Sequence, residues 1–477
     1  MKQRSPLLPI FLIVLVDVLG FTIVIPLLGF YAEKFGASPL VATTLVSVYA
    51  VCSLISTPII GNLSDKVGRR RMLLISQVGT LAGFLMLAWS HSLWMVFLGR
   101  ILDGITAGNL SLAQAYISDH TVPENRAKAF GVIGVAFGIG FMFGPGLGGT
   151  LAEYGLHVPF VVAGGLSALS IFCTATLLKN ETPPKESAAP TAPLPAGRRP
   201  GAFDVATYTE YFRRPKLGSL YLQFFMFSFA FSCFTSGFAL FAERRFSTHQ
   251  TLHRVPGEMC KLTVDDKLDT TSTLRGTILF DHQPVPDSEW WVAGDKAIFV
   301  AYRPCQQLQT ATALDGKFPW TAHEVGLLFM FSGFLGILLQ GGLIGRLVKR
   351  YGEVKLVLAG FVAASAGYVV LGFAYTVAMC LLVATMSAFG NGVLRPVITS
   401  RITQVAGRHE QGVALGISGS LSSFAMMLAP PTGGALIDHH WLLAWALVPA
   451  SVAAIGFVLA LATRPDTPPA SELSSRP

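Results

Sequence analysis

The stretch Gly61-Asn-Leu-Ser-Asp65-Lys-Val-Gly68-Arg69-Arg70-Arg71 is a short basic segment between two long apolar runs. Lys and Arg resist translocation across a membrane, so a charged loop between two apolar runs is expected to remain on the cytoplasmic side. The same frame returns 284 residues later, where Gly61, Asp65, Gly68 and Arg71 are matched by Gly345, Lys349, Gly352 and Lys355. This recurrence predicts a chain built from two copies of one membrane unit.

The composition indicates a polytopic membrane protein. Hydrophobic residues make up 52% of the 477 residues and charged residues only 13%. The apolar residues come in blocks of about 20, the length of helix that crosses about 30 Å of hydrocarbon. The net charge of +8 arises from basic residues in alternate loops. That distribution favours a lipid bilayer as the partner and argues against nucleic acid.

The hydrophobic blocks predict an all-α protein of twelve transmembrane helices. We number them spans 1 to 12, at 8–30, 43–62, 72–90, 93–115, 129–152, 158–178, 217–241, 324–346, 354–373, 376–398, 413–437 and 441–463. Lys and Arg concentrate in the loops after spans 2, 4, 6, 8 and 10, which predicts cytoplasmic termini in a cell (inner) membrane. The first apolar run is longer than a signal-peptide core and no small-residue cleavage site follows it, so we expect a retained span.

The spans group into two pseudo-symmetric halves, 1–178 and 217–463. Residues 179–216 are rich in Pro, Ala, Lys and Arg and predict a flexible cytoplasmic linker, and the tail at 464–477 is similar. Two further stretches repeat: Pro145 to Gly149 matches Pro430 to Gly434, and Gly108-Asn109 matches Gly390-Asn391. An internally duplicated helical transporter with a site near the midplane is the expected architecture.

Residues 247–314 break the symmetry with an extracytoplasmic insert between spans 7 and 8. Segments 273–282 and 290–302 are β-rich, and 281–287 has turn composition, so a small β-rich unit is expected. Cys260 and Cys305 bracket these segments in an oxidising compartment, where a disulfide is one hypothesis and two free thiols the other. Three histidines of the insert match no established metal-site spacing, and we expect no metal at His249, His253 and His282.

Charged residues at membrane depth are candidates for proton coupling. Arg100 and Asp103 lie three apart on span 4 and can pair on one helical face, and Asp17 lies within span 1. A buried carboxylate whose surroundings differ between two states of a transporter can load and release a proton. We expect Asp103, with Arg100 as its partner, to be the first candidate and Asp17 the second. A static structural ion pair is the alternative.

Polar and aromatic residues within the spans are candidates for a substrate cavity. Polar groups in hydrocarbon must find partners, which favours the interior of the bundle over lipid. The candidates are Phe21, Asn109, Gln114, Gln223, Phe224, Phe227, Gln340 and Asn391. Such a cavity suits apolar or amphipathic small molecules.

The sequence contains no ATP-binding Gly-x-x-x-x-Gly-Lys-Ser/Thr signature and no nucleophile or metal constellation. We therefore expect a protein that is not an enzyme, uses no cofactor and draws its energy from an ion gradient.

Several motifs resemble those of the major facilitator superfamily. Gly61 to Arg71 resembles the loop between helices 2 and 3 of that superfamily, and Arg100 to Gly104 its helix 4 motif. Gly140 to Gly149 is similar to the helix 5 motif of antiporters, and Asp17 followed by Pro26 resembles the first helix of drug:proton antiporters. The tetracycline-efflux-type branch is the most similar, as also seen in 115–119 and 124–127.

The resemblance implies roles for two groups of residues. One is a cytoplasmic latch that holds the halves together when the cavity faces outward, formed by Gly61, Asp65, Gly68, Arg69, Arg70 and Asp119. A plain positive-inside anchor is the alternative for this loop. The other is a seam between the halves that limits leakage, formed by Gly140, Gly144, Pro145, Gly148 and Gly149, with ordinary small-residue packing as the alternative. Tetracycline pumps are expected to carry a carboxylate within helix 3, whereas 77–89 contains no acid, which argues against tetracycline itself as the substrate.

Together these observations predict a monomeric, proton-coupled transporter that exports small, drug-like organic molecules by alternating access. A metabolite or sugar symporter or uniporter of the same fold is the first alternative. The second is a transporter-derived receptor that binds a ligand through the outer insert.

Overall fold

The computed structural model describes residues 7–120, 123–178, 205–246, 248–254, 261–263, 277–280, 283–284, 290–292, 297–300, 310–315, 320–406 and 410–463. In the N-terminal half the helices are α1 (Leu7–Val24), α2 (Leu28–Glu33), α3 (Pro39–Val67), α4 (Arg69–Ala88), α5 (Leu93–Ile105), α6 (Asn109–His120), α7 (Pro123–Ala152) and α8 (Val158–Leu177). The others are α9 (Val205–Arg213), α10 (Pro215–Phe246), α11 (Ala322–Leu338), α12 (Ile344–Tyr351), α13 (Glu353–Gly372), α14 (Val377–Ala406), α15 (Gln411–Asp438) and α16 (Leu442–Ala462).

These helices form the spans expected from the sequence. A 3-10 turn at Ile25–Leu27 joins α1 and α2 into span 1, and a π-helical turn at Leu339–Leu343 joins α11 and α12 into span 8. Eleven helical segments in the described part of the chain are long and apolar enough to cross a membrane. The remaining predicted span, span 4, consists of the two shorter helices α5 and α6 in series.

Both copies of the basic hairpin have the same backbone shape. Gly68 ends span 2 with φ 102°, and Gly352 ends span 8 with φ 79°, a left-handed conformation that a residue with a side chain rarely adopts. Each glycine N–H donates to the carbonyl four residues earlier, at 2.9 Å in both copies. We call the end of the bundle that carries these two glycines the hairpin end.

The repeat extends to the packing of spans 5 and 11. A Cβ on Gly148 would meet span 1, at Ile23 O, and a Cβ on Gly433 would meet both span 12, at Trp445 Nε1, and span 7, at Cys233 Sγ. The next glycine of each span faces the other half, Gly149 toward span 8 and Gly434 toward span 2. Because spans 1 and 7 correspond, as do spans 2 and 8, the duplicated motifs make duplicated contacts.

The two halves meet at the end opposite the hairpins, which we call the insert end. Three polar contacts join them there: Arg244 Nη2 to Glu33 Oε1 at 2.5 Å, His323 Nδ1 to Glu153 Oε1 at 2.9 Å, and Ser47 Oγ to Met426 O at 3.3 Å. The backbones also approach closely, since a Cβ on Gly149 would lie 2.6 Å from Ala322 O.

The hairpin end is open by comparison. Helix α12 buries none of its residues. Seven glycines in the hairpin-end halves of spans 2, 5, 8 and 11 have no atom within 4 Å of an added Cβ: Gly61, Gly134, Gly341, Gly342, Gly345, Gly416 and Gly419. The space between the halves is therefore closed at the insert end and accessible from the hairpin end.

The insert contains an antiparallel sheet of seven short strands among its described residues. They are β1 (Thr248–Arg254), β2 (Lys261–Thr263), β3 (Thr277–Phe280), β4 (Gln283–Pro284), β5 (Trp290–Val292), β6 (Ala297–Val300) and β7 (Thr310–Asp315), in the order β4-β3-β7-β1-β2-β6-β5. Strands β3, β5 and β6 lie in the segments predicted to be β-rich. Thr248, the first strand residue, is paired with Asp315, the last, so the chain leaves span 7 and returns to span 8 at neighbouring points. Cys260, Cys305 and His282 lie outside the described residues.

Helix α9 lies in the segment predicted as a flexible linker. Its end is tied to the C-terminal half by Arg214, which donates through Nη1 to Glu410 Oε2 at 2.6 Å and through Nη2 to Glu410 Oε1 at 3.2 Å. Hydrogen bonds to Glu410 and Glu210 raise the pKa of Arg214 above its usual value. The Pro-rich composition of residues 179–216 as a whole does not indicate this helix.

Candidate functional site

Arg100 and Asp103 form a buried ion pair on α5. Arg100 Nη1 lies 2.8 Å from Asp103 Oδ2, and the two residues are 3% and 4% exposed. The guanidinium carbon of Arg100 lies 4.4 Å from the centre of the Tyr49 ring on span 2, a cation–π contact. The predicted pairing on one helical face is thus present. Arg100 Nε has no hydrogen-bond partner, so the pair is not fully satisfied.

Span 4 is interrupted three residues after Asp103, between α5 and α6. A helix break in a membrane exposes backbone groups that need other partners. Hydroxyl groups of span 2 supply two: Ser56 Oγ donates to Gly104 O at 2.7 Å, and Thr57 Oγ1 donates to Ala107 O at 2.9 Å. On span 3, Ser76 Oγ donates to Thr106 O and accepts from the Gly108 N–H at 3.0 Å.

The corresponding span 10 is continuous although it shares the Gly-Asn pair. In the offset of the hairpin repeat, Ser56, Thr57 and Ser76 correspond to Gln340, Gly341 and Gly360. None of these has a hydroxyl group that could satisfy a broken backbone. The break is therefore specific to the half that carries the buried ion pair, and it adjoins that pair.

Asp17 lies on span 1 near the same region. It is partly exposed, lies within hydrogen-bonding reach of Ser170 on span 6 and Gln77 on span 3, and is close enough to Asp103 to be influenced by its charge. Gln77 is fully buried, and its Nε2 donates to Ser170 Oγ at 2.8 Å. Its Oε1 has no hydrogen-bond partner among the described residues.

The residues of the predicted latch are in contact. Arg69 reaches Asp65 Oδ1 through Nη2 at 2.5 Å and Asp119 Oδ2 through Nε at 3.0 Å, and it bonds Ser64 Oγ. Arg70 donates to the carbonyls of Thr174 and Ala175 at the end of span 6. Each of these partners belongs to the N-terminal half, so in this state the contacts join spans 2, 3, 4 and 6 of one half. The predicted role of these residues in holding the two halves together is not seen in these contacts.

The second hairpin makes a similar contact with reversed charge. Glu353, which stands where the first copy has Arg69, accepts from Ser400 Oγ at 2.9 Å and from Gln404 Nε2 at 3.1 Å. Span 9 is thereby tied to span 10 as span 3 is tied to span 4.

The glycines of span 5 form a close seam with span 1. Added Cβ atoms on Gly140 and Gly148 would lie 2.5 Å from Val18 Cγ1 and from Ile23 O, and one on Gly144 would overlap the Thr22 hydroxyl. Thr22 Oγ1 donates to Gly140 O at 2.9 Å across this seam. The expectation of a seam between the halves is corrected here: Gly140, Gly144 and Gly148 pack on span 1 of the same half, and of the predicted glycines Gly149 alone faces span 8 of the other half.

The predicted cavity residues divide into two sets. Phe21, Asn109 and Asn391 are partly exposed, and Gln114 and Gln340 are exposed. The three candidates on span 7 are buried: Gln223 donates to Thr463 Oγ1 at 3.0 Å on span 12, and Phe224 packs edge-on against Phe227. We correct the expectation for these three, because their side chains fill the core of the C-terminal half and do not line the space between the halves.

The structure adds three residues to the site that the sequence analysis did not select. Tyr49 stacks on Arg100, and Gln77 and Ser170 surround Asp17. Gln77 met the criterion of a polar residue within a span, so the sequence contained the signal. Its partners come from distant spans, and the sequence alone does not give that proximity.

Comparisons with known proteins agree with this architecture. The family model of the Major Facilitator Superfamily matches residues 10–252 and 295–476, and the unmatched stretch lies within the insert. The solved structure of the nucleoside transporter NupG is similar, with a TM-score of 0.67 at 12% identity, covering 96% of this chain and 99% of that one.

Two relatives cover nearly the whole length. The class C tetracycline resistance protein of Escherichia coli is 25% identical over 433 residues, which is 90% of this chain and 89% of the relative. Multidrug resistance protein 2 of Bacillus subtilis (strain 168) is 22% identical over 438 residues, with 90% and 89% covered. With a family model matched across both halves and a bundle of that fold, the chain belongs to the Major Facilitator Superfamily.

Proposed function

We propose that this protein is a proton-coupled secondary transporter that exports small amphipathic organic molecules. The observation that carries the proposal is the pair of carboxylates at membrane depth, Asp103 buried against Arg100 and Asp17 partly exposed, beside the break in span 4. Ionisable residues at such depth are rare and typically mark ion pathways. The tetracycline and multidrug resistance relatives support export as the direction.

The transport cycle that we propose is alternating access between the two halves. The positive-inside rule assigns the hairpin end to the cytoplasm, which places both termini there and the insert outside. The structure then corresponds to an inward-open state, closed at the insert end by Glu33–Arg244 and Glu153–His323. In the outward-open state the latch residues Asp65, Arg69 and Asp119 would hold the hairpin end closed, and the glycine seam of spans 1 and 5 would limit leakage.

The two carboxylates differ in what they can do. Asp17 is partly exposed, so we propose that it exchanges a proton with water. Asp103 is shielded from solvent and neutralised by Arg100, so a change in its charge requires movement of Arg100 or Tyr49. We propose that Asp17 carries the proton. We also propose that the Arg100–Asp103 pair responds to the charge of Asp17 and so couples protonation to the break in span 4.

A proton gradient supplies enough energy for this exchange. One proton moving down about 100 mV and one pH unit releases about 3.7 kcal/mol. That free energy sustains a substrate gradient of several hundred-fold at about 1.4 kcal/mol per tenfold step. The proposed partners are thus protons, the substrate and the surrounding cell membrane, with a monomer as the working unit.

The test uses everted membrane vesicles with an imposed pH gradient and a panel of amphipathic compounds. We expect substrate-dependent dissipation of the gradient by the parent protein, its loss in Asp17→Asn, and strong reduction in Asp103→Asn. Asp438→Asn, at the insert end of span 11, is the matched control and should behave like the parent. Full proton-coupled transport by both Asp17→Asn and Asp103→Asn would make the buried pair a static structural element. No response across the panel from folded protein would favour a metabolite or sugar carrier.

A further inference from the structure

Arg395 is a cation near the hairpin-end boundary of span 10 (376–398), and it makes no ion pair among the described residues. It lies eleven residues from the hairpin end of α14, which corresponds to about 16 Å along the helix. Its neighbours along the chain use their polar groups elsewhere: Thr399 Oγ1 donates to the Arg395 carbonyl, and Asn391 Nδ2 donates to Ser387 Oγ. The guanidinium itself is left without a carboxylate.

The position of Arg395 on the helix places it toward the interior of the bundle. Ala388 and Ile402 lie seven residues, or two helical turns, before and after it on the same stripe, and both are buried. Gly390, on another face, is the residue that packs against span 9 at Ala364. Arg395 is nevertheless exposed. An exposed residue on a stripe that is buried on either side of it faces an open space inside the bundle.

An arginine in this setting is suited to binding an anion. Its guanidinium has no carboxylate partner among the described residues, and its planar fork matches the two oxygens of a carboxylate or the oxygens of a phosphate. A lipid-facing or structural arginine would instead be paired or would extend to the interface.

We infer that Arg395 binds the anionic head group of an amphipathic substrate, so that the transported molecules carry an acidic group such as a carboxylate. This inference rests on the proposed function, since it names the substrate class of the same cavity. The acidic residues Asp17 and Asp103 belong to the N-terminal half and Arg395 to the C-terminal half. The proton and the substrate anion would therefore be held by opposite walls of the cavity.

The experiment compares three probes of the same shape with purified protein. They are 1-pyrenebutyrate, its methyl ester and 4-(1-pyrenyl)butylammonium, and binding is measured by energy transfer from tryptophan to pyrene. We expect the parent to bind the carboxylate at least about tenfold more tightly than the ammonium probe, as a charge-assisted contact implies. The preference should be lost in Arg395→Gln, retained in Arg395→Lys and reversed in Arg395→Glu. Arg350→Gln, an exposed cation of the second hairpin, is the control.

Two results would overturn the inference. One is an unchanged carboxylate preference in Arg395→Gln and Arg395→Glu. The other is an equal loss of binding of all three probes in Arg395→Gln and in Arg395→Glu. That result would mean that Arg395 pairs with a carboxylate of the chain in another state. If Arg395→Gln does not fold, the comparison of Arg395→Lys with Arg395→Glu decides.

The pH-gradient assay on the same proteins separates this inference from the proposed function. Carboxylate binding that depends on Arg395, without proton coupling, supports the inference and contradicts proton antiport. Proton coupling with cationic compounds that does not change in Arg395→Gln supports proton antiport and contradicts the inference about Arg395.

Discussion

Gly144 is the residue at which the packing of spans 1 and 5 is tightest, because an added Cβ would overlap the Thr22 hydroxyl. We predict that Gly144→Ala lowers the free energy of unfolding by about 1–3 kcal/mol, the usual cost of overpacking. The matched control on the same helix is Gly134→Ala, where the added methyl meets no atom within 4 Å. Thermal unfolding in detergent, followed by tryptophan fluorescence, measures the stability of both variants. Equal stability of Gly144→Ala and Gly134→Ala would contradict close packing of spans 1 and 5 at Gly144.

At the scale of residues, the sequence identified charged groups better than neutral ones. Arg100 and Asp103 were predictable as a pair because their spacing and their cost in hydrocarbon leave few alternatives. Gln223, Phe224 and Phe227 were placed in the cavity, and the structure buries them in a core. Span 7 is apolar on every side, so its sequence does not distinguish the face toward the cavity from the face toward span 12.

The broken span 4 is the element on which the site depends. Its free carbonyls are satisfied by hydroxyls from spans 2 and 3, and a lost partner leaves a buried acceptor unsatisfied. We predict that Thr57→Val, which keeps the shape but removes the hydroxyl, lowers the free energy of unfolding by about 1 kcal/mol. Thr385→Val is the control, since its hydroxyl is exposed and bonds only within its own helix, to Leu381 O at 2.8 Å. An unchanged thermal transition in Thr57→Val would mean that the break is stabilised in another way.

The break was not predicted from the sequence, which gave one uninterrupted apolar block from 93 to 115. Gly104 and Gly108 are present in the sequence, but glycines are common in membrane helices and do not by themselves indicate an interruption. Whether the helix can break depends on hydroxyl groups of the neighbouring spans that satisfy its free backbone groups. Span 10 has no such hydroxyl groups at the corresponding positions and is continuous.

The insert is an element that can be removed without disturbing the spans. Its first and last strand residues are paired, as expected for a unit inserted at one point of a loop. We predict that replacing 247–314 by a short Gly-Ser linker leaves proton-coupled transport within about twofold of the parent, since the sheet is a self-contained unit. Transport by the deletion variant is measured in the same vesicles. Loss of a ligand response with intact folding would instead support the receptor hypothesis.

At the scale of the whole molecule, the duplication and the two six-helix halves were predictable, because three motifs recur at nearly constant offset. Which end of the bundle is closed was not predictable, because the same sequence is compatible with closure at either end. The Glu33–Arg244 ion pair, the Glu153–His323 contact and close backbone contacts at the insert end define the state seen here. Those contacts join residues more than one hundred positions apart, a proximity that periodicity does not reveal.

The central claim, alternating access driven by a carboxylate proton, is tested most directly by spin-label distances across both ends of the bundle. One pair of labels replaces Tyr154 and Trp441 at the insert end, and the other replaces Asn62 and Arg346 at the hairpin end, in a background without the six native cysteines. The account predicts reciprocal changes between low and high pH, one distance lengthening as the other shortens, and no such change in Asp17→Asn. Distances that do not respond to pH, or that respond equally in Asp17→Asn, would contradict it.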